Sequence, residues 1–451
     1  MSATTLSADA SERTANLYRA VWRWHFYAGL LVLPFMILLA VTGGLYLFRD
    51  ELDNAWHRDL KQVTARATPV EAPSAWIAAA LEARPGTALK IITPATPTSS
   101  AEVVIKTAEG ARRSVYVDPY DSRVLGELAD RGTLMWLVRR LHSLAEFGTV
   151  TNGIIEIVGG WSIMLVGTGF YLWWPRRQTG GVATVRGAPR QRVFWRDLHA
   201  VTGAFAGLAI GFMSLSGMPW SVLWGAKVNE WANSSNYGYP SGVRANIPMS
   251  DEHLEHANGP TTWSLEQAKV PLSTPAAGQP IGIDAAAAIV DKLGVSPGYT
   301  LSFPGSPTGV YSASVYPDDL SKQHVVHLDQ YSGKPLIDMT FADYGPAGKA
   351  MEWGINVHMG QEFGLANQLF MLALCLATIL MSVSAGVMWW KRRPAGSLGI
   401  PPAPTDPSVM RGLIAIMAVI GLIFPLVGAS LVVMVLLDFT FARRRPKVRT
   451  A

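Results

Sequence analysis

The stretch WRWHFYAGLLVLPFMILLAVTGGLYLF, residues 22–48, decides the class of this protein. Crossing a bilayer takes about 20 apolar residues, and this run exceeds that. It begins beside a histidine, His25. Three more runs of membrane length lie at residues 153–174, 198–220 and 365–390. A fifth, residues 413–437, is interrupted by Pro425. The whole chain has 451 residues, 49% of them hydrophobic and only 16% charged. Its mean hydropathy is +0.21, too apolar for an ordinary soluble protein. The first 20 residues lack a short apolar region ending in small residues, so the first run reads as an uncleaved span and not a signal peptide.

Basic residues orient the spans. Arg19 and Arg23 precede or open the first. Arg176, Arg177, Arg186, Arg190, Arg192 and Arg196 lie between the second and third, and Lys391, Arg392 and Arg393 close the fourth. Alternating helices put all three clusters on one side, the cytoplasm. The net charge of +5 is then loop charge, and no nucleic-acid motif accompanies it. The tail Arg443, Arg444, Arg445, Lys447 and Arg449 also belongs inside. A single fifth span would place it outside. The length of the fifth run favours one span and the tail charge favours a re-entrant hairpin, so both stay open.

The expected organisation is therefore as follows. Residues 1–21 form a cytoplasmic N-terminus and 22–48 the first span. Residues 49–143 are an external module, 144–175 the second span and 176–196 a basic cytoplasmic loop. Residues 197–220 are the third span, 221–357 a second external module and 358–391 the fourth span. A cytoplasmic linker covers 392–410, the fifth span or hairpin 411–440 and a basic tail 441–451. Each module reads as one helix (74–82, with Ser74 as N-cap, and 284–293) on an antiparallel sheet. The strands are expected at 88–93, 101–106 and 113–117, then at 299–303, 310–316 and 324–328. The single cysteine, Cys375, allows no intrachain disulfide and reads as a packing residue.

The chain repeats itself. At one constant offset His142, Glu146, Phe147 and Gly148 match His358, Glu362, Phe363 and Gly364, and Trp173, Trp174 and Arg176 match Trp389, Trp390 and Arg392. At a second offset His25, Gly29, Thr42 and Gly43 match His199, Gly203, Ser216 and Gly217. At a third, Asp118, Tyr120, Arg123 and Leu125 match Asp329, Tyr331, Lys334 and Leu336. Each half is helix, module, helix. A parallel repeat of this kind places a pseudo-two-fold axis along the membrane normal.

That axis pairs four of the nine histidines. His25 meets His199 at the inner ends, and His142 meets His358 at the outer ends. Two imidazoles facing each other across a gap between helices suit a bis-histidine b-type haem. Zinc and copper fit less well, since no cysteine, methionine or carboxylate cluster completes a site. Gly29 and Gly203 lie one turn past their histidines; they either clear room for a porphyrin face or pack helices, with Gly203, Gly207 and Gly211 spaced for packing. Trp22, Trp24, Trp195 and Tyr27 read as interfacial aromatics. Glu146 and Glu362 are either partners of the outer histidines or solvated carboxylates at helix ends. His324 and His327 fall on opposite strand faces. His253 and His256 read as solvated and His57 as a surface residue.

The outer pair poses a problem of length. From His142 to Trp174 a straight helix would run roughly 48 Å, well beyond the ~30 Å hydrocarbon core. Either the chain breaks at Gly148, with residues 134–147 lying on the surface and Leu134, Leu137, Leu141 and His142 facing inward, or a long helix protrudes. Gly364 allows the same break in the second half.

At these residues the chain resembles the PepSY-associated transmembrane family of iron-regulated membrane proteins. The resemblance rests on the residue 22–48 pattern, LHSL at 141–144, GFYLWWPRR at 169–177 and SLSGMPWSVLWG at 214–225. It covers nearly the whole chain. HMGQ at 358–361 departs from the LHSL pattern by lacking its leucine. The resemblance implies a membrane α-helical protein of two helix–PepSY–helix halves, with periplasmic α+β modules and a C-terminal hydrophobic segment. It implies two haem b groups on the four histidines and a ferric-siderophore reductase in the inner membrane, fed by a cytoplasmic or quinol donor. The competing class is a membrane-anchored PepSY binding, regulatory or transport-accessory protein without haem.

Overall fold

The computed structural model describes residues 3–175, 180–235, 237–238, 249–253, 268–275 and 279–443. Arg176, Arg177, His256, Arg444, Arg445, Lys447 and Arg449 lie outside the described residues, as do the side chains of His253 and Arg443. The chain divides into two compact units: Met1–Gly44 with Arg140–Lys227 and Leu369–Ala451, and Leu45–Arg139 with Val228–Gln368.

In the first unit, four helices among the described residues are long and apolar enough to cross a membrane: Glu12–Tyr46, Thr149–Trp173, Arg192–Trp220 and Gly364–Arg392. The first is the inner part of a longer helix, Ala3–Tyr46. It therefore starts well before the apolar run, because nothing in residues 3–21 breaks a helix. Leu144 and Gly148, at φ 54° and 101°, break the chain ahead of the second span. The preceding helix, Leu134–His142, is separate. The break at Gly148 is thus the solution adopted, although Leu137 is exposed; Met135 and Val138 are the buried residues of that helix. Gly364, at φ 58°, opens the fourth spanning helix in the same way, after a separate helix Pro346–His358.

The fifth apolar run is two helices, Pro407–Ile423 and Pro425–Arg443. Pro425 cannot continue the first of them, and Phe424 takes φ −121°, ψ 87° between the two. They fold back on each other through Gly421 and Gly428; a Cβ on Gly421 would stand 2.8 Å from the Gly428 Cα. Both ends return to the same stretch of the first helix. Asn16 Oδ1 accepts from Thr405 N and Oγ1, each at 2.9 Å, and Arg23 pairs with Asp438. The hairpin, not the single span that length favoured, is what forms. Its apolar side joins Trp24, Ala28, Val32, Val158 and Trp161 in one cluster with Met417, Val427 and Leu431. Trp161 Nε1 donates to Ser430 Oγ at 2.9 Å. The second spanning helix also buries a carboxylate, Glu156, which accepts from the Leu223 and Trp224 N–H groups at 2.8 and 3.3 Å. It satisfies the open donors at the start of the helix Trp224–Ser234.

The second unit holds the strands. These are β1 (Thr87–Ile92), β2 (Ala101–Lys106), β3 (Arg112–Val117), β4 (Val124–Ala129), β5 (Met249–His253), β6 (Lys269–Pro271), β7 (Thr300–Ser302), β8 (Val310–Val315), β9 (His324–Asp329) and β10 (Pro335–Thr340). The two expected modules do not keep separate sheets. Eight strands form one antiparallel sheet in the order β10-β9-β8-β7-β1-β2-β3-β4, joined at the β1–β7 edge. There Ile91 pairs with Leu301, both with no exposed surface. Helices Pro73–Ala83 and Ile283–Lys292 cover one face, and a single core runs beneath both, from Trp76 and Val103 to Val290 and Val326. Ser74 is not the N-cap. Ala72 holds that position with Pro73 next, and Ser74 N and Oγ bond the Asp284 carboxylate of the other module's helix, at 2.9 and 2.6 Å.

The matched turns are built alike. Asp118 Oδ1 accepts from Tyr120 N at 3.0 Å, and Asp329 Oδ1 accepts from Tyr331 N at 3.0 Å. Tyr120 Oη donates to Pro97 O and Tyr331 Oη to Pro307 O, at 2.8 and 2.9 Å. His57 is not merely a surface residue: its Nε2 accepts from Leu134 N at 3.2 Å. Asp53 accepts from Thr133 Oγ1 and Met135 N beside it. Together they cap the start of Leu134–His142.

Candidate functional site

At one end of the four spanning helices a cavity of about 520 Å³ opens between them, within the range of small-molecule and cofactor pockets. Its walls come from one face of each helix. The third contributes Arg192, Arg196, His199, Gly203, Gly207 and Ile210, spaced three and four residues apart. Aromatic and basic residues gather at one end (Trp22, Trp173, Arg192, Arg392), and apolar residues at the other (Leu33, Met36, Ile210).

His25 and His199 both line this cavity, with ring centroids 6.5 Å apart and planes at 84°. The sequence pairing is realised for these two. One metal bound by a nitrogen of each ring at about 2 Å, with each ring centre roughly 1 Å farther out, needs centroids about 6 Å apart. The spacing fits.

The hydrogen bonds fix which nitrogen is available. His199 Nδ1 lies 3.0 Å from Met381 O, a carbonyl that only accepts, so Nδ1 carries the proton. His25 Nδ1 lies 2.9 Å from Thr168 Oγ1, whose own proton goes to Met164 O at 2.7 Å. His25 therefore also donates from Nδ1. Both rings present Nε2 with its lone pair, the state required of a metal ligand, and the donated Nδ1–H is the usual orienting contact of ligating histidines. Ser384 Oγ, 3.3 Å from His199 Nδ1, stands at the position matching Thr168. Sequence reading missed Thr168, Ser384 and Met381. The signal was present for the first two, since they match at the same offset as Trp173 and Trp389.

His142, in the same unit, is held by the same device at the other end of the helices. Its Nδ1 lies 2.9 Å from Thr42 Oγ1, which donates to Leu38 O at 2.6 Å. A Cβ on Gly43 would stand 3.3 Å from His142 Cε1, so the glycine seats the ring. Buried Cys375 lies beside that glycine, its Sγ 3.9 Å from the same Cβ position. His358 is half-buried at the end of the helix Pro346–His358 and belongs to the second unit.

The family model described as PepSY-associated TM region matches residues 22–392. The chain belongs to this family. No functionally curated protein matches it. The PepSY-associated region contains all four histidines and every cavity-lining residue but Tyr18, and it ends before the hairpin. With its four spanning helices and its sheet domain, this PepSY-associated protein is a multi-pass membrane protein.

The glycines now separate. Gly29 and Gly203 both line the cavity, and a Cβ on Gly203 would come within 3.3 Å of the tip of Met381. Further along the same helix Gly207 packs on Phe170 and Gly211 on Val166. Gly207 also lines the cavity, so only Gly211 is left to helix packing alone. Glu146 pairs with Arg140, and Glu362 accepts from Asn356 Nδ2 at 2.6 Å; both carboxylates brace the turns that precede their spans. His324 binds Asp338 at 2.6 Å. His327 is buried against Ser312 Oγ at 2.8 Å, and burial pushes its pKa down to about 4.

Proposed function

We propose that this chain carries electrons across the bacterial inner membrane on two b-type haems, one held by His25 and His199 and the other by His142 and His358. The observation that carries the reading is the His25–His199 pair. Two imidazoles line one cavity at the spacing a shared iron needs, each with its proton committed to Nδ1. Bound haem would supply a one-electron centre whose potential is set by its ligands, burial and surrounding hydrogen bonds. The chain's own part is to hold the rings. Thr168 and Met381 fix the imidazole tautomers, Gly29 and Gly203 keep the cavity open, and Leu33, Met36 and Ile210 exclude water from its floor.

We infer that the two halves arose by duplication, since matched residues make matched hydrogen bonds at the histidines and at the Asp118 and Asp329 turns. The positive-inside rule puts the Arg192 and Arg392 end in the cytoplasm and the sheet domain in the periplasm. The inner site would then take electrons from a cytoplasmic or quinol donor. The outer site would pass them to a periplasmic ferric complex such as a ferric siderophore. Ferrous iron is less tightly held by such chelators, so reduction releases it.

An optical spectrum of the purified protein, expressed with ample haem, tests this. A Soret band is expected, and His25→Ala or His142→Ala should each remove about half of it. A wild-type protein without the band would return the chain to the class of membrane-anchored binding proteins.

A further inference from the structure

The cavity holding His25 and His199 carries three arginines at its mouth, Arg192, Arg196 and Arg392. Arg196 is already paired, donating to Asp197 Oδ1 at 2.6 and 2.9 Å; Asp197 also receives Arg186. Arg192 and Arg392 are different. Among the described residues no carboxylate pairs with either. Arg392 is nevertheless held in place: its guanidinium lies 5.0 Å from the Trp22 ring centre and 4.9 Å from that of Phe26, and one nitrogen donates to Gly399 O at 2.7 Å. A carbonyl satisfies a donor without cancelling the charge. Two like charges on one cavity wall repel each other, so the site calls for a ligand with two negative groups on one edge.

We infer that Arg192 and Arg392 bind the two propionate carboxylates of the haem proposed above, and so fix which edge of the ring faces the mouth. This rests on the haem reading. Arg192 lies two helical turns, about 10 Å, before His199 on the same helix face, and Arg392 closes the facing row Met381, Ala385, Met388 on the fourth helix. A ring at the histidines would thus have its apolar edge toward Leu33 and Met36 and its charged edge toward the arginines. Guanidinium groups are suited to this role because they pair with carboxylates through parallel hydrogen bonds.

The test uses full-length protein in detergent, loaded either with haem or with haem dimethyl ester, whose propionates are uncharged. Loss of each to apomyoglobin is followed, read on the phase that His199→Ala removes. In the wild type the ester should leave at least about tenfold faster than haem, as expected when charge-assisted bonds are lost. In Arg192→Gln/Arg392→Gln the two should leave at rates within about twofold of each other, haem having become as labile as the ester. An unchanged haem-to-ester ratio in the double variant overturns the inference and leaves the haem reading intact. Equal retention of haem and ester by the wild type also overturns it. A wild type without a Soret band overturns the haem reading, and this inference with it.

Discussion

Ile91 of β1 pairs directly with Leu301 of β7, and through that pair two four-stranded sheets become one. Neither residue has exposed surface. The core beneath them is shared, so the two modules should stand or fall together. Ile91→Ala removes buried volume at the seam and should cost about 2–5 kcal/mol. Limited proteolysis of the full chain should then show cleavage sites in both modules becoming accessible together. Protection retained in residues 300–340 while 87–129 is cut would mean that each module folds by itself.

Thr168→Val leaves the helix intact but removes the acceptor for His25 Nδ1. Orienting partners of metal-bound histidines are worth roughly 10–100-fold in affinity. Haem loss from the inner site should accelerate by that factor in Thr168→Val, and Thr168→Ser should restore retention. Equal rates in the wild type and Thr168→Val would show that the hydroxyl does not hold the ring.

His327 gives the sheet domain a dependence on pH. Its folded pKa, about 4, lies below the ordinary value of 6.5 because burial disfavours the charged form. Below pH 6.5 the unfolded chain takes up a proton that the folded chain refuses. Stability from this residue is therefore complete above pH 6.5 and falls as the pH drops toward 4, by a total on the order of 3 kcal/mol. His327→Gln can keep a bond to Ser312 without that titration. Its Tm should fall less than that of the wild type between pH 7 and pH 4.5, and parallel curves would exclude His327 as the source.

Gly421 faces the backbone of Gly428, whereas Gly412 on the same helix has open space where a Cβ would go. Gly421→Leu should destabilise the protein by at least about 1–3 kcal/mol through overpacking, and Gly412→Leu should leave Tm unchanged or raise it. Equal effects at the two positions would show that the helices do not meet at the glycines.

The four spans were legible because a long apolar run has few alternatives, and His25 and His199 were paired from the repeat alone. The inner strands were found for a similar reason: residues 101–106 and 113–117 are short runs rich in β-branched and aromatic residues (Val103, Val104, Ile105, Val115, Tyr116, Val117). The edge strands β4 and β10 were missed, since an edge tolerates polar and chain-breaking residues such as Gly126, Pro335 and Asp338. Ser74 resembled a helix cap by type, but its actual partner, Asp284, is 210 positions away, and local pattern cannot reveal such a contact. The hairpin had a sequence signal in the basic tail, but run length argued against it. Gly421 and Gly428 settle the matter only when their backbones are seen to touch.

The hairpin also has a consequence for how such a chain can change over time. A segment that leaves and re-enters at the same end has even parity. Adding it to a four-span protein, or deleting it, alters the side of no other loop. An odd crossing would strand its basic tail on the opposite side. The PepSY-associated region ends at residue 392 and the hairpin begins at Pro407, so it is a topologically silent extension whose contacts with the spans, among them those of Asn16, Arg23, Trp24 and Trp161, are what is gained or lost.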